Sequence, residues 1–249
     1  VSSQVGCPAK CAFCASGKEG LIRNLTTGEI VEQVIQINHY LLEKEERTSH
    51  LVFMGMGEPL ENYDAFVKAL KIFIHPEMLN LSSRRITVST VGVIERIEQL
   101  MDEGLSVNLA LSLHAPNQKI RKRIVPYARK YSFEELIKTV DIYGARSKRD
   151  VTYEYVLLAG INDRKEHAQE LGSLLKGKQC CVNLIPYNPV SGLNLKRPQK
   201  EVIEEFRAIL KKKGVKSTCR YTKGKDIDAA CGQLALRKEK ALEFAAKSV

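Results

Sequence analysis

The sequence contains no tryptophan, and aromatic residues make up only 6% of its 249 positions. Aliphatic side chains must therefore provide most of the core, in a composition otherwise ordinary for a globular protein. No apolar run reaches the roughly 18 residues of a membrane-spanning helix, so we expect no membrane association. The chain also begins at Val1 without a methionine or an export signal. We therefore expect a fragment of a cytoplasmic protein.

Negative charge is also in short supply. The chain has 39 lysines and arginines against 29 acidic residues, a net charge of +10. A basic surface attracts phosphate backbones, although many basic proteins have no nucleic-acid partner. Two basic groups are predicted to lie beside strand ends, where a nucleic acid would dock: Arg84-Arg85, and Lys119, Arg121, Lys122 and Arg123.

Three of the seven cysteines fall within eight residues, as Cys7-x3-Cys11-x2-Cys14. Grouped cysteines in a reducing compartment more often bind metal than form disulfides. A structural zinc site would need a fourth ligand from a second pair, which does not follow nearby. A redox disulfide would use only two thiols. Three thiolates suit a [4Fe-4S] cluster with one iron left open, and zinc is the weaker alternative.

Apolar segments alternate with amphipathic ones along the chain. The predicted strands are His50–Met56, Arg85–Thr90, Ser106–Leu113, Asp150–Leu158, Cys181–Pro186 and Lys216–Tyr221. The predicted helices lie near Thr27–Glu45, Tyr63–Phe73, Val93–Glu103, Phe133–Ala145, Arg164–Leu175 and Gln199–Lys213. This alternation favours an α/β fold with a parallel sheet. Six units are too few for a closed eight-stranded barrel, so a partial barrel or an open doubly wound sheet fits.

Chemically unusual residues follow the predicted strands. They are Gly55–Pro59, Ser89-Thr90, Ser112–His114, Pro186–Pro189 and Asp226–Cys231. Singly, each could be a turn or a helix cap. Because ligands of parallel α/β folds collect at the carboxyl ends of the strands, together they predict a binding site at that rim.

The cysteine motif, with Phe13 before its last cysteine, resembles the cluster motif of the radical S-adenosylmethionine (SAM) superfamily. The resemblance implies a partial (β/α)6 barrel that binds SAM on the open iron and cleaves it to methionine and a 5′-deoxyadenosyl radical. Gly55–Pro59 resembles the glycine-glutamate motif of the same superfamily. Its glycines would let the backbone approach SAM, and Glu58 would accept hydrogen bonds from the SAM ammonium.

Longer motifs narrow the resemblance to the RlmN-type RNA adenine-C2 methyltransferases, which act on 23S rRNA and tRNA. These motifs are Val1–Cys7, Asn24–Thr27, Ser112–Pro116, Asn183–Pro189 and Asp226–Leu234. The likeness spans about residues 1–236. It implies SAM contacts at Gly57, Glu58, Ser89, Ser112, Leu113, His114 and Asn188.

The same resemblance makes Cys231 the nucleophile that carries the methyl group. Asp226 and Asp228 are plausible helix N-caps, and Lys223 and Lys225 lie close in sequence; both features would stabilise a thiolate there. A small packed residue is the alternative for Cys231. Packing is what we expect of Cys180, Cys181 and Cys219.

We expect residues 1–222 to form the barrel core and residues 223–249 to form a C-terminal segment with the Cys231 loop and a helix. The resemblance implies an N-terminal RNA-binding domain, absent from this chain, and a resolving cysteine just before Val1 that forms a disulfide with Cys231. We also expect a monomer that receives electrons from a donor such as flavodoxin.

Three alternatives remain. A related group methylates carbon 8 of adenine, but it tends to read Gly-Glu-Ala and Leu-Ile-Arg where this chain has Pro59 and Pro186. The second is a radical SAM protein with a non-RNA substrate, such as a sulfur carrier. The third is a non-enzymatic RNA-binding module with a structural metal.

Overall fold

The computed structural model describes residues 1–18, 20–220 and Gln233. A short antiparallel hairpin, β1 (Gln4–Gly6) and β2 (Leu21–Asn24), precedes the main sheet. The six strands of that sheet are β3 (Leu51–Phe53), β4 (Ile86–Thr90), β5 (Asn108–Ser112), β6 (Val151–Leu157), β7 (Cys180–Pro186) and β8 (Lys216–Cys219).

Seven α-helices are present in the described part of the chain. They are α1 (Thr27–Leu42), α2 (Tyr63–Ile74), α3 (Ile94–Asp102), α4 (Gln118–Ile124), α5 (Phe133–Ser147), α6 (Lys165–Leu175) and α7 (Lys200–Lys212). The first begins with a capping box, in which Thr26 Oγ1 accepts from the Glu29 amide and the Glu29 carboxylate accepts from the Thr26 amide.

Strand order decides between the two predicted architectures. The six strands are all parallel and lie side by side in chain order, from β3 to β8. Since parallel crossovers are right-handed, consecutive order places every connecting helix on the same face of the sheet. A doubly wound sheet would reverse its order part-way. The fold is therefore an α/β partial barrel, as predicted.

Alternation along each strand separates two faces. In β4, Ile86 and Val88 are buried in the main core between sheet and helices, whereas Thr87 and Ser89 face the concave side. Aliphatic residues fill most of that core, as the lack of tryptophan requires, together with phenylalanines and tyrosines. A second, smaller apolar cluster joins α4 to the cysteine loop, residues 7–14, through Ala9, Ile120 and Ile124.

The predicted strands and helices are all present within the described residues, with shifts of a few positions at their ends. The prediction that Arg84 and Arg85 lie at the rim where RNA would dock is wrong. They immediately precede β4, and the Arg84 carbonyl accepts from Asn108 Nδ2 at the start of β5. Both arginines therefore lie at the amino edge of the sheet, opposite its carboxyl rim. No helix in the described part of the chain is long and apolar enough to cross a membrane.

Candidate functional site

A pocket lies at the carboxyl ends of the strands, where the polar residues were predicted to meet. Its walls include Cys7, Cys11, Cys14, Gly57, Glu58, Ser89, Ser112, His114 and Asn188. Leu113 does not line it, because its side chain is buried in the main core. Cys231 and the segment around it lie outside the described residues, apart from Gln233, whose side-chain amide donates to the Pro189 carbonyl.

The cysteine loop is fixed at both sides by backbone hydrogen bonds. The Cys7 amide donates to the Gly20 carbonyl at 2.9 Å, and the Ala12 amide donates to the Ile124 carbonyl at the end of α4, also at 2.9 Å. The three cysteine residues are half-buried, and the six cysteines that the structure describes are free. The loop therefore presents three unpaired thiols to one pocket.

Burial raises the pKa of Cys7 to about 12 and that of Cys11 well above its ordinary value. Both thiols thus need a bound cation to become the thiolates that ligate metal. Among residues 1–18, 20–220 and Gln233, no three ligating side chains converge on a single-ion site. A cubane presents its irons at separate corners, so three thiols spread around one pocket fit a cluster better than a zinc ion.

Position 57 needs a glycine for two reasons: its backbone conformation and the closeness of neighbouring atoms. Its φ of +106° is rarely adopted by residues with a side chain, and a Cβ there would lie 2.7 Å from the Gln4 Cβ and 2.8 Å from the Gln4 amide nitrogen. At Gly55, a Cβ would lie 2.5 Å from Ser2 Oγ. The lack of side chains at Gly55 and Gly57 therefore leaves room for the chain segment around β1. The sequence analysis predicted instead that these glycines leave room for SAM.

Glu58 connects two loops at the bottom of the pocket. Its Oε2 accepts from the Val91 amide at 2.7 Å and its Oε1 from the Leu60 amide at 3.1 Å. The side chain is only 2% exposed. Burial raises the pKa of this carboxyl to about 7, while the hydrogen bonds from Val91, Thr90 and Leu60 oppose the rise. A carboxylate has about four acceptor sites, so these three bonds leave one available to a ligand.

His114 is held as a neutral imidazole. Burial, reinforced by the positive charge of Arg121, lowers its pKa to about 3. Its Nδ1 accepts from the Val156 amide at 3.0 Å, so the ring proton must be on Nε2, where it can be donated. The backbone is left-handed at φ +59°, and the ring packs edge-on against Phe13 with centroids 4.8 Å apart. A non-glycine residue that several contacts hold in a left-handed conformation is typical of functional sites.

Glu154 is a pocket residue that the sequence reasoning missed. It lies in β6 and is 4% exposed, and its Oε2 accepts from Asn183 Nδ2 of the adjacent strand at 2.8 Å. Burial raises its pKa to about 7, opposed by the Asn183 bond and by the charge of Arg220. A second carboxyl group thus faces the pocket beside Ser112, its register partner on β5.

Comparison with known proteins places this pocket in a family. The model of the Radical SAM superfamily matches residues 1–171. A probable dual-specificity RNA methyltransferase RlmN 2 from Protochlamydia amoebophila is 63% identical over 237 residues, which are 95% of this chain and 66% of that protein. A probable RlmN from Thermotoga sp. (strain RQ2) is 48% identical over 240 residues, 96% of this chain and 69% of that protein. The chain belongs to the RlmN family of radical SAM proteins.

A crystal structure of a radical SAM methyltransferase from Sphaerobacter thermophilus superimposes with a TM-score of 0.91 at 46% identity, over 94% of this chain and 68% of that one. The RlmN-family chain described here thus spans about two thirds of the length of the relatives it matches. Within it, the cysteine loop, Glu58 and the serines of β4 and β5 form a single site.

Proposed function

We propose that this chain is the radical SAM part of an RNA methyltransferase that adds a methyl group to carbon 2 of adenine in 23S rRNA and tRNA, with Cys231 as the methyl carrier. The observation that carries the proposal is the single pocket shared by Cys7, Cys11, Cys14 and Glu58 in a chain of the RlmN family.

Cys7, Cys11 and Cys14 would hold a [4Fe-4S] cluster. When bound there, such a cluster supplies the electron that cleaves SAM and so generates a radical able to remove hydrogen from a methyl group. The chain's own residues would orient SAM. Glu58 and Glu154 accept hydrogen bonds, the His114 Nε2–H donates one, and Ser89 and Ser112, whose Oγ atoms are 3.4 Å apart, can do either. Asn188 lines the same wall.

A cysteine carrier answers a chemical difficulty. Carbon 2 of adenine is electron-poor, so it cannot displace a methyl group from SAM directly. A thiolate can, and Cys231 would accept the methyl by that polar displacement. Removal of one hydrogen would then allow the carbon to add to the ring as a methylene that is still bonded to the Cys231 sulfur. That C–S bond would break as the resolving cysteine expected before Val1 forms a disulfide with Cys231. The ring carbon would give up its proton, the methylene would take up another, and one proton and the electron first supplied by the cluster would be released in balance. Pro59 and Pro186 favour carbon 2 over carbon 8.

Isotope labelling tests the proposal. The native full-length polypeptide, with Cys231 initially unmethylated, is given RNA and SAM bearing a fully deuterated methyl group. We expect two deuterons and one ordinary hydrogen in the product methyl, and one deuteron in the released deoxyadenosine. Mass spectrometry of the nucleosides gives the number of deuterons in the product methyl. Comparison with 2-methyladenosine and 8-methyladenosine standards shows which ring carbon is methylated.

The Cys231→Ala variant is the control, and it should form no methylated adenine. Three deuterons in the product would show transfer of an intact methyl group and would contradict the role of Cys231. An 8-methyladenosine product would contradict carbon 2 as the target.

A further inference from the structure

Arg121 is a buried cation for which the described residues provide no anion. Its side chain is among the largest fully buried ones and is 1% exposed. The ion pairs of the described residues do not include it. Burial lowers its pKa only to about 10, so the guanidinium is still charged at neutral pH. A buried charge without a partner is strongly unfavourable, so this one requires an explanation.

The guanidinium donates only to backbone carbonyls. Its Nη2 donates to Val91 at 2.5 Å and to Ser112 at 3.3 Å, and its Nε donates to Leu113 at 3.2 Å. These bonds fix the residues that follow β4 and β5, beside Glu58, which accepts from the Val91 amide. A neutral amide could satisfy carbonyls equally well, so the bonds explain the position of Arg121 but not its charge.

The cysteine loop lies against the helix that carries Arg121. Ile120 and Ile124 of α4 form one apolar cluster with Cys7, Cys11 and Phe13, and the Ile124 carbonyl accepts from the Ala12 amide. The guanidinium donates to the carbonyls of Val91 and Ser112, which line the same pocket as the three cysteines. Because a charge buried in the protein interior is weakly screened, its field reaches the cluster site.

Three thiolates around an iron–sulfur core carry a net negative charge, and reduction adds one more. We propose that Arg121 is a positioning residue whose buried positive charge balances the anionic cluster held by Cys7, Cys11 and Cys14 and raises its reduction potential. Net charge and solvent exposure are among the factors that set such potentials. The inference rests on the cluster assignment in the proposed function, but not on the RNA substrate or on Cys231.

The test compares Arg121→Gln with Arg121→Lys in the anaerobically loaded protein, without SAM or RNA. Both replacements can donate to the carbonyls, but only lysine keeps the charge. The cluster is titrated with a chemical reductant and followed by electron paramagnetic resonance. In the Gln variant we expect the equilibrium constant for reduction to fall at least tenfold, which is about 59 mV for a one-electron couple. The Lys variant should stay within threefold of the wild type.

Lys122→Gln is the matched control, since Lys122 is the neighbouring residue and is exposed; its potential should stay within threefold of the wild type. A Gln variant with an unchanged potential would overturn the proposal, as would a Lys variant that falls tenfold. The Arg121→Lys variant tests the proposal even if the Arg121→Gln variant does not fold. Because neither SAM nor RNA is present, a wrong RNA target would leave all of these potentials unchanged and would appear only in the labelling experiment.

Discussion

Single residues at the pocket carry opposite pH dependences. For Glu154, the pKa in the folded state is about 7, against 4.5 for an ordinary carboxyl. The native state therefore holds more protons than the unfolded state between these values, and stability falls as pH rises from about 4.5 to 7. For His114 the folded pKa is about 3, against 6.5, so stability is lost as pH falls through that interval. Because these pH dependences overlap, the contribution of one residue must be measured as the difference in unfolding free energy between the wild type and a variant.

We predict that Glu154→Gln removes the first of these effects. Relative to the variant, the cluster-free wild type should lose on the order of 2 kcal/mol of unfolding free energy between pH 5 and pH 7.5. The Gln oxygen can still accept from Asn183, so the fold should be retained. Urea unfolding at the two pH values measures the difference, with the exposed Glu98→Gln as control. Parallel pH profiles for wild type and Glu154→Gln would show that Glu154 is ionised throughout.

The alternation and helical spacing of the sequence indicate two buried charged residues at the site, Glu154 in the pocket and Arg121 beside it. In β6, alternation puts Tyr153 and Tyr155 on the core face and Glu154 on the concave one. In α4, helical spacing places position 121 between Ile124 and Val125 on the buried face. The prediction that Arg121 binds RNA is therefore wrong, because the side chain faces the core. A run of basic residues does not by itself indicate a surface, because the helical period turns one of its members inward.

At the level of elements, periodicity was sufficient for the main fold. Apolar runs gave all six strands of the sheet and amphipathic spacing gave six of the helices. The hairpin of β1 and β2 was missed because Leu21–Asn24 is exposed on both faces and shows no alternation. The short α4 was missed because its apolar stripe contains Arg121. Both elements depend on tertiary contacts with the cysteine loop, which local patterns do not record.

The contact between β1 and the Gly55–Pro59 loop gives a prediction at this scale. Gly57→Ala should destabilise the protein by about 3 kcal/mol, since a Cβ would both strain a positive φ and strike Gln4. Gly177→Ala is the matched control. Gly177 also has a positive φ, +77°, but a Cβ there meets nothing within 4 Å, so only the strain of about 1 kcal/mol should appear. Urea unfolding measures both values. Equal losses in the two variants would mean that β1 is not packed tightly against Gly57.

At the scale of the whole molecule, we expect RNA binding to depend more on where basic residues lie relative to the pocket rim than on the net charge. Lys119, Lys122 and Arg123 are exposed on α4, which follows β5 and borders the pocket end of the barrel. Arg84, Lys211 and Lys212 are also exposed, but they precede β4 and β8 and so lie at the amino edge. Under the proposed function, a base that reaches the pocket must leave its stack, and the phosphates next to it would lie along the pocket rim.

We predict that changing Lys119, Lys122 and Arg123 to Ala in the native full-length polypeptide weakens RNA binding and lowers the slope of log affinity against log salt by about 2, because each phosphate contact releases close to one counterion. Replacing Arg84, Lys211 and Lys212 by Ala removes the same charge from the opposite edge, and its slope should match the wild type. Fluorescence anisotropy with a labelled RNA at several salt concentrations gives the three slopes. If both triple variants lowered the slope equally, the +10 charge would act as a diffuse field, and α4 would not be the RNA-binding face.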